Sequence, residues 1–387
     1  MNRDVDILAV VGTRPEAIKM APVLKALKRR GIVTELVGTG QHHDWQMFGN
    51  FLSDFDLKLD HQLTLQSRDL LGSFVHILSG LGELFLQRKP KLVLAQGDTT
   101  TVCAAAFAAR KTGCAFGHVE AGLRAFSREL PEEEHRICAD ALADLLFAPT
   151  RIAQENLSRE HVNGQVYLSG NTVLDALLMH PPRPVPGNAR EGILVTLHRQ
   201  ETVDDRKKFS EVLSALGVLA RHHQVLWPMH PRARAKMQEH GFELPSNVQV
   251  TAPLGHGEFL NKLVAAEAVV TDSGGAQEEA AILGTPCIAV RACTERPETL
   301  TAGVGILAGV EKQGIVDAAD EVLRNWDAYA RPVPHLYGDG RAGEKIAQAC
   351  GEFLGVTMDA EDSLDLEKVV RLETFFPKPQ RRRAGRL

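Results

Sequence analysis

What most constrains this chain is an alternation. Short apolar runs take turns with longer amphipathic ones almost from end to end. DILAVV (6–11) reads as a strand, and PEAIKMAPVLKALKRR (15–30) as a helix with Pro15 in its first turn. TELVGT (34–39), KLVLAQG (91–97), AFGHVE (115–120) and LLFAPT (145–150) read as further strands. DLLGSFVHILSGLGELFLQRK (69–89), TTTVCAAAFAARKTG (99–113) and PEEEHRICADALADL (131–145) read as the helices around them. This is the β-α-β grammar of a parallel, doubly wound sheet, an α/β fold. Four prolines and two glycines in HPPRPVPGNAREG (180–192) make a linker, and the alternation then resumes. GILVTLH (192–198), HQVLWPMH (223–230), AEAVVTDS (266–273) and TPCIAVR (285–291) are the strands of a second half. RAGEKIAQACGEFLGV (341–356) reads as a last helix. A length of 387 residues fits two such domains.

Composition removes several classes. No run approaches the ~18 apolar residues of a membrane span. A net charge of -5 gives no electrostatic reason for a nucleic-acid partner. The first apolar run ends in a Gly-Thr turn without a small-residue cleavage site, so it is expected to be a strand, not a secretory signal. Six scattered cysteines, none in C-x-x-C, suit a reducing cytoplasm. The segment beyond 356 turns from acidic to basic and ends in QRRRAGRL; it is expected to be a partly mobile terminus, with a docked helix in LDLEKVVRLETFF.

The chemistry-bearing residues fall at strand ends, where open α/β sheets bind ligands. The turn after the first strand has no G-x-G-x-x-G, and no P-loop occurs, which disfavours a dinucleotide dehydrogenase or P-loop NTPase. Adjacent pairs such as His42-His43 and His222-His223 do not share a face, so no metal is assigned. Arg14 and Lys19 flank the first strand–helix turn and can meet an anion there. Asp98, Glu120 and the run Glu132, Glu133, Glu134 bring carboxylates to one edge of one sheet, as acid–base chemistry needs. In the second half Ser273, Gly274 and Gly275 open a helix whose N–H groups can hold a phosphate, and Glu278 or Glu279 can accept from a ribose diol. His198, Arg199 and His230 sit at strand ends of that half, and Arg291 and Arg296 are candidate phosphate partners.

Taken in order, GTRPEAIKMAPV (12–23), TGQH (39–42), QGDTTT (96–101), HVEAGLR (118–124), LPEEEHR (130–136), GNTVLDAL (170–177), TLHRQE (196–201), DSGGAQEEA (272–280), TERPE (294–298) and YGDG (337–340) resemble the non-hydrolysing UDP-N-acetylglucosamine 2-epimerases. The resemblance implies two Rossmann-like doubly wound domains facing a cleft, of the GT-B type. They would cover 1–180 with a returning helix at 340–356, and 188–339, followed by an extension at 357–387. It implies a homodimer, a UDP-sugar substrate held in the cleft, and no cofactor, NAD included. The implied reaction eliminates UDP to 2-acetamidoglucal and re-adds it after protonation of C2 on the other face. Asp98, Glu120 and Glu132 take the acid–base roles. Arg14, Lys19 and His198 take pyrophosphate or leaving-group contacts, with Arg136 and Arg199 beside them. Ser273, Gly274, Gly275 and Arg296 take the phosphates, Glu279 the ribose hydroxyls and Phe259 the uracil, while His230 lines the cleft.

Three departures bear on the substrate. His135 stands where the family usually has Asn, Gln200 and Thr202 where Arg and Asn are common, and the segment from Arg124 to Pro131 is short. The short segment also resembles branches acting on modified sugars such as UDP-diacetamido-glucuronate, as well as archaeal-type members. At a regulatory subsite, Asp44 and Asp69 match positions where activated members carry Gln, beside Gln41, His42 and Arg68; weakened activation by UDP-N-acetylglucosamine is the expectation. Competing readings are a hydrolysing 2-epimerase, marked by accumulating UDP; a GT-B glycosyltransferase, which would need an acceptor; and a non-enzymatic binder, which would never exchange the C2 proton.

Overall fold

Strands buried on both faces need continuous apolar runs, and two parallel sheets are built from such runs. In a computed structural model, residues 5–40, 52, 55–64 and 69–356 are described. The first sheet comprises β1 (Ile7–Val11), β2 (Thr34–Gly38), β3 (His61–Gln62), β4 (Leu92–Gln96), β5 (Ala115–Val119), β6 (Leu145–Ala148) and β7 (Gln165–Leu168). Its order is β3-β2-β1-β4-β5-β6-β7, with every pairing parallel. The second comprises β8 (Ile193–Thr196), β9 (Val225–Pro228), β10 (Val248–Thr251), β11 (Ala268–Thr271), β12 (Cys287–Ala289) and β13 (Gly305–Leu307), in the order β10-β9-β8-β11-β12-β13. The fold is α/β, with two Rossmann-like doubly wound sheets.

Both sheets start in the middle. The chain enters at β1, winds outward to β3, then returns to lay β4 on the other side of β1. The second sheet repeats the move between β8 and β11. Such reversals open a crevice at the C-terminal strand ends, the place where doubly wound folds take ligands.

Residues up to 179 together with 337–356 form one unit, and 180–336 form the other. In the first unit the helix Arg14–Arg29 lays Ala17, Met20, Val23 and Leu27 against Ile7, Ala9 and Val11 of β1. Each buried Val, Leu, Ile or Met among these contributes about 1.5–3 kcal/mol. The helix Ala342–Leu354 belongs to this same core, supplying Ile346, Ala347, Ala349 and Cys350. Its Gly343 lies against Pro22 so closely that a Cβ there would stand 2.8 Å from the Pro22 carbonyl oxygen. Asp175, on the helix Thr172–Met179, accepts from the Gly343 N–H at 2.8 Å and so caps the returning helix from outside it. Burial pushes the Asp175 carboxyl up to about 7, against the pull of the Gly343 and Ala342 N–H groups.

The helix Leu70–Arg88 is the one element, among the described residues, long and apolar enough to cross a bilayer by length and composition. It docks on the sheet through Ile77, Leu81 and Phe85, and its Phe74 meets Phe107 edge-on. Leu70, Leu71, Val75 and Leu86 are exposed on it. The extension at 357–387, with the helix expected there, lies outside the described residues.

Candidate active site

At the first switch point the sequence folds its turns tightly. A Cβ on Gly12 would collide with the Thr101 hydroxyl at 2.1 Å, so only glycine lets β1 run into its helix here. Glu16 then reaches back in a capping box, accepting from the Gly12 N–H at 2.6 Å and the Thr13 N–H at 2.7 Å. Its other oxygen accepts from the Thr99 hydroxyl, which ties the β1 turn to the β4 turn. Burial raises the Glu16 carboxyl to about 7, although these hydrogen bonds pull it down.

Glu120, just past β5, sits at φ +75°, a left-handed backbone that a non-glycine residue adopts at a cost of about 1–3 kcal/mol. Two residues on, Gly122 also has positive φ (+85°), and a Cβ there would lie 2.3 Å from the Ala153 carbonyl oxygen. This double turn is pinned by buried Asp140, whose Oδ2 accepts from the Gly122 N–H at 3.0 Å. Asp140 also faces His118 Nδ1 at 2.6 Å and Arg124 Nη2 at 2.7 Å. Burial works against its charge, but His118 and Arg124 win and hold its carboxyl below the usual range. His118 and Arg124 of HVEAGLR thus build the turn that presents Glu120.

Of the carboxylates expected from sequence, Glu120 and Asp98 stand just past the adjacent strands β5 and β4. Glu120 Oε2 accepts from Lys19 Nζ at 2.7 Å, in a buried ion pair, and from the Gln96 amide. Asp98, past the neighbouring strand β4, accepts from Arg136 Nε at 3.0 Å and from Arg136 Nη2. Arg136 Nη1 simultaneously donates to Glu133 at 2.6 Å, and Glu133 takes the Ala125 and Phe126 N–H groups. Glu133 is therefore a brace for the loop 124–131. Glu132 is the second residue of the helix Pro131–Leu142, and Arg14 opens the helix after β1. His135, one of the sequence departures, contacts the Asp98 carbonyl oxygen through Nδ1 at 2.9 Å, so it steadies the turn that carries Asp98.

The second switch point has its own set. Asp272, fully buried past β11, accepts from the backbone N–H groups of His198 (2.9 Å) and Arg199 (2.9 Å) past β8, and lies 3.3 Å from His198 Nδ1. Burial opposes ionisation, but His198 and these N–H groups hold its carboxyl below the usual range. The His230 ring lies 5.5 Å from that of His198, and its Nδ1 accepts from the Arg232 N–H, capping the next helix. Ser273 caps the helix Gly274–Leu283. A Cβ on Gly274 would meet Glu295 Oε1 at 2.6 Å, whereas one on Gly275 meets nothing nearer than Ser273 Oγ at 3.9 Å. The helix thus starts on a packed glycine followed by an open one, with its N–H groups able to hold an anion.

Behind that start lies a buried charge network. Glu295 binds Arg291 at 2.6 Å and Arg199 at 3.3 Å, while Arg296 pairs with Glu278. Arg291, expected as a phosphate partner, is 2% exposed and braces Glu295. Glu279 meets His256 at 2.8 Å, and Phe259 lies one turn along from His256 on the helix His256–Ala265. Sequence reasoning did not single out Glu16, Gln96, Asp272 or His256 as site residues. At the expected regulatory subsite, Asp69 caps the helix Leu70–Arg88 by accepting from the Gly72 N–H at 2.7 Å, and Gln41, His42, Asp44 and Arg68 lie outside the described residues.

Known proteins are similar to this one over most of the chain. The family model described as UDP-N-acetylglucosamine 2-epimerase matches residues 25–351. A UDP-N-acetylglucosamine 2-epimerase of Methanococcus maripaludis is 35% identical over 357 residues, covering 87% of this chain and 96% of the relative. A UDP-2,3-diacetamido-2,3-dideoxy-D-glucuronate 2-epimerase of Pseudomonas aeruginosa is also 35% identical, over 352 residues, covering 88% and 98%. The crystal structure of Methanocaldococcus jannaschii UDP-GlcNAc 2-epimerase with UDP-GlcNAc and UDP superposes with a TM-score of 0.82 at 32% identity, covering 89% of this chain and 99% of that one. A match of this extent makes the chain a member of the UDP-N-acetylglucosamine 2-epimerase family.

Proposed function

We propose that this protein interconverts UDP-N-acetylglucosamine and UDP-N-acetylmannosamine without net hydrolysis, by elimination and re-addition of UDP. The observation that carries the reading is Glu120, held in a strained backbone at the switch point beside Lys19, with Asp98 on the adjacent strand end. The sugar C2 proton is not acidic, so it must leave as the C1–O bond weakens. A carboxylate of the set Asp98, Glu120 and Glu132 takes that proton, the C2–H electrons form the C1–C2 double bond, and UDP leaves with the C1–O pair. Protonation of C2 on the other face and attack of the UDP oxygen on C1 complete the change. Arg14, Lys19, Arg136, His198 and Arg199 offset charge on the departing pyrophosphate. Ser273, Gly274 and Gly275 hold the phosphates at their helix start, with Arg296 behind them. Glu279 takes the ribose hydroxyls, Phe259 stacks on uracil, and His230 supports His198 by its ring.

Proton NMR with UDP-N-acetylglucosamine in D2O tests this. Deuterium at C2 with a UDP-N-acetylmannosamine signal is expected. UDP accumulating with free N-acetylmannosamine would overturn the non-hydrolysing outcome. A second reading keeps the chemistry and changes the sugar, because the Pseudomonas relative is 35% identical to this chain, the same percentage as the Methanococcus one. UDP-2,3-diacetamido-glucuronate is therefore the second substrate in the same assay, and exchange with neither sugar would overturn the epimerase reading. We also propose that the chain works as a homodimer, with the exposed Leu70, Leu71, Val75 and Leu86 of the helix Leu70–Arg88 as the contact face.

A further inference from the structure

Two consecutive buried carboxylates in the helix Gly274–Leu283 are held in different ways. Glu278 pairs with the guanidinium of Arg296. Glu279, 8% exposed, is held by a single imidazole nitrogen, His256 Nε2, at 2.8 Å from Oε1. A carboxylate only accepts, so Nε2 donates. An Arg fork can saturate a carboxylate, taking both oxygens in parallel. A lone imidazole N–H takes one oxygen and fixes the carboxylate plane, keeping acceptor capacity for the two hydroxyls of a vicinal diol. His256 is itself 6% exposed and is the first residue of its helix, so its ring has little room to turn away from Glu279. Phe259 lies three residues further along that helix, a spacing that puts the two on neighbouring positions of one face.

We propose that His256 is a positioning residue for nucleoside recognition: by holding Glu279 Oε1 it aims the carboxylate at the ribose diol and so sets the preference for ribo- over 2′-deoxyribonucleotides. This rests on the reading of Glu279 as the ribose acceptor, and the experiment separates the two. The dissociation constants of UDP and 2′-deoxy-UDP are measured by titration calorimetry, and their ratio is the readout. Loss of folded protein affects both nucleotides alike and leaves the ratio unchanged. The parent is expected to favour UDP by at least ~10-fold, as a hydrogen bond to a charged group supports. Glu279→Gln is expected to bring the ratio below about 3. If the ratio survives that change, or the parent shows none, the ribose reading of Glu279 is wrong and the proposal goes with it. If Glu279→Gln removes the preference while His256→Phe keeps it, the ribose reading stands and the role of His256 is overturned. The expected result is a lost preference in His256→Phe and a retained one in His256→Gln, whose amide can donate in place of Nε2. Should His256→Phe fail to fold, His256→Asn, which is too short to reach Glu279, is read in the same way.

Discussion

Gly274 and Gly275 look interchangeable in sequence but should respond oppositely to alanine. At Gly274 the new methyl would start 2.6 Å from Glu295 Oε1. That oxygen belongs to a carboxylate tied to Arg291 and Arg199 within the protein, so it cannot swing aside without loosening two ion pairs. Overpacking of this kind costs about 1–3 kcal/mol before any loss of pairing. At Gly275 the methyl meets nothing closer than 3.9 Å, and alanine is the better helix former by up to ~1 kcal/mol. Gly275→Ala should therefore fold at least as stably as the parent. Under the proposed function the same methyl would stand between a phosphate and the helix N–H groups, so UDP affinity should fall at least tenfold, or ~1.4 kcal/mol. Thermal melting and UDP titration of both variants make the assay. Unchanged UDP affinity in folded Gly275→Ala would refute phosphate binding at this helix start, and parental stability in Gly274→Ala would refute the packing argument.

Three further predictions follow from other parts of the molecule. Asp272→Asn removes the charge facing His198 Nδ1 while leaving the helix start intact; turnover should fall ~10-fold or more with UDP affinity within threefold, and undiminished turnover would dismiss Asp272 as an orienting group. Asp175 has a raised folded-state pKa of about 7, so its stabilising contribution is full below the ordinary carboxyl range and is lost as pH rises through 7. Asp175→Asn should accordingly gain melting temperature relative to the parent between pH 5 and 8, by a free energy on the order of a few kcal/mol at most, and a pH-independent difference would contradict it. Replacing Leu71 and Val75 with Glu should halve the mass seen by light scattering, and a variant that stays dimeric would move the interface elsewhere.

The strands read from sequence are the central ones, and the strands left unread are the edges. β3, β7, β10 and β13 close the two sheets on either side. QVYL in β7 and VQVT in β10 are half exposed, so they lack the continuous apolar run that marks β1 or β4. The site divides in a similar way. Asp98, Glu120 and His198 were legible because the topology of a doubly wound sheet singles out the ends of strands, although Asp272 shares that position and was missed. Glu16, Asp272 and His256 were not, since their roles depend on partners distant in sequence or on backbone N–H groups. Arg291, expected as a phosphate partner, shows what a sequence hides: its buried pairing with Glu295 four residues on. Nothing in the string HVEAG marks Glu120 as left-handed, because the strain is imposed by Asp140 holding the following turn.

The returning helix Ala342–Leu354 has a consequence for how the protein is made. Its apolar face completes the core of a unit whose other elements end at Met179, so about 160 residues must be translated between the two pieces. At ~5–20 residues per second the ribosome leaves that core open for roughly ten to thirty seconds. The later-encoded unit, continuous from 180 to 336, can close during that interval. The N-terminal half of the gene therefore specifies the half of the protein that is finished last. Throughout synthesis, the groove beside Pro22 that will receive Gly343 is a stretch of apolar surface for a chaperone to guard.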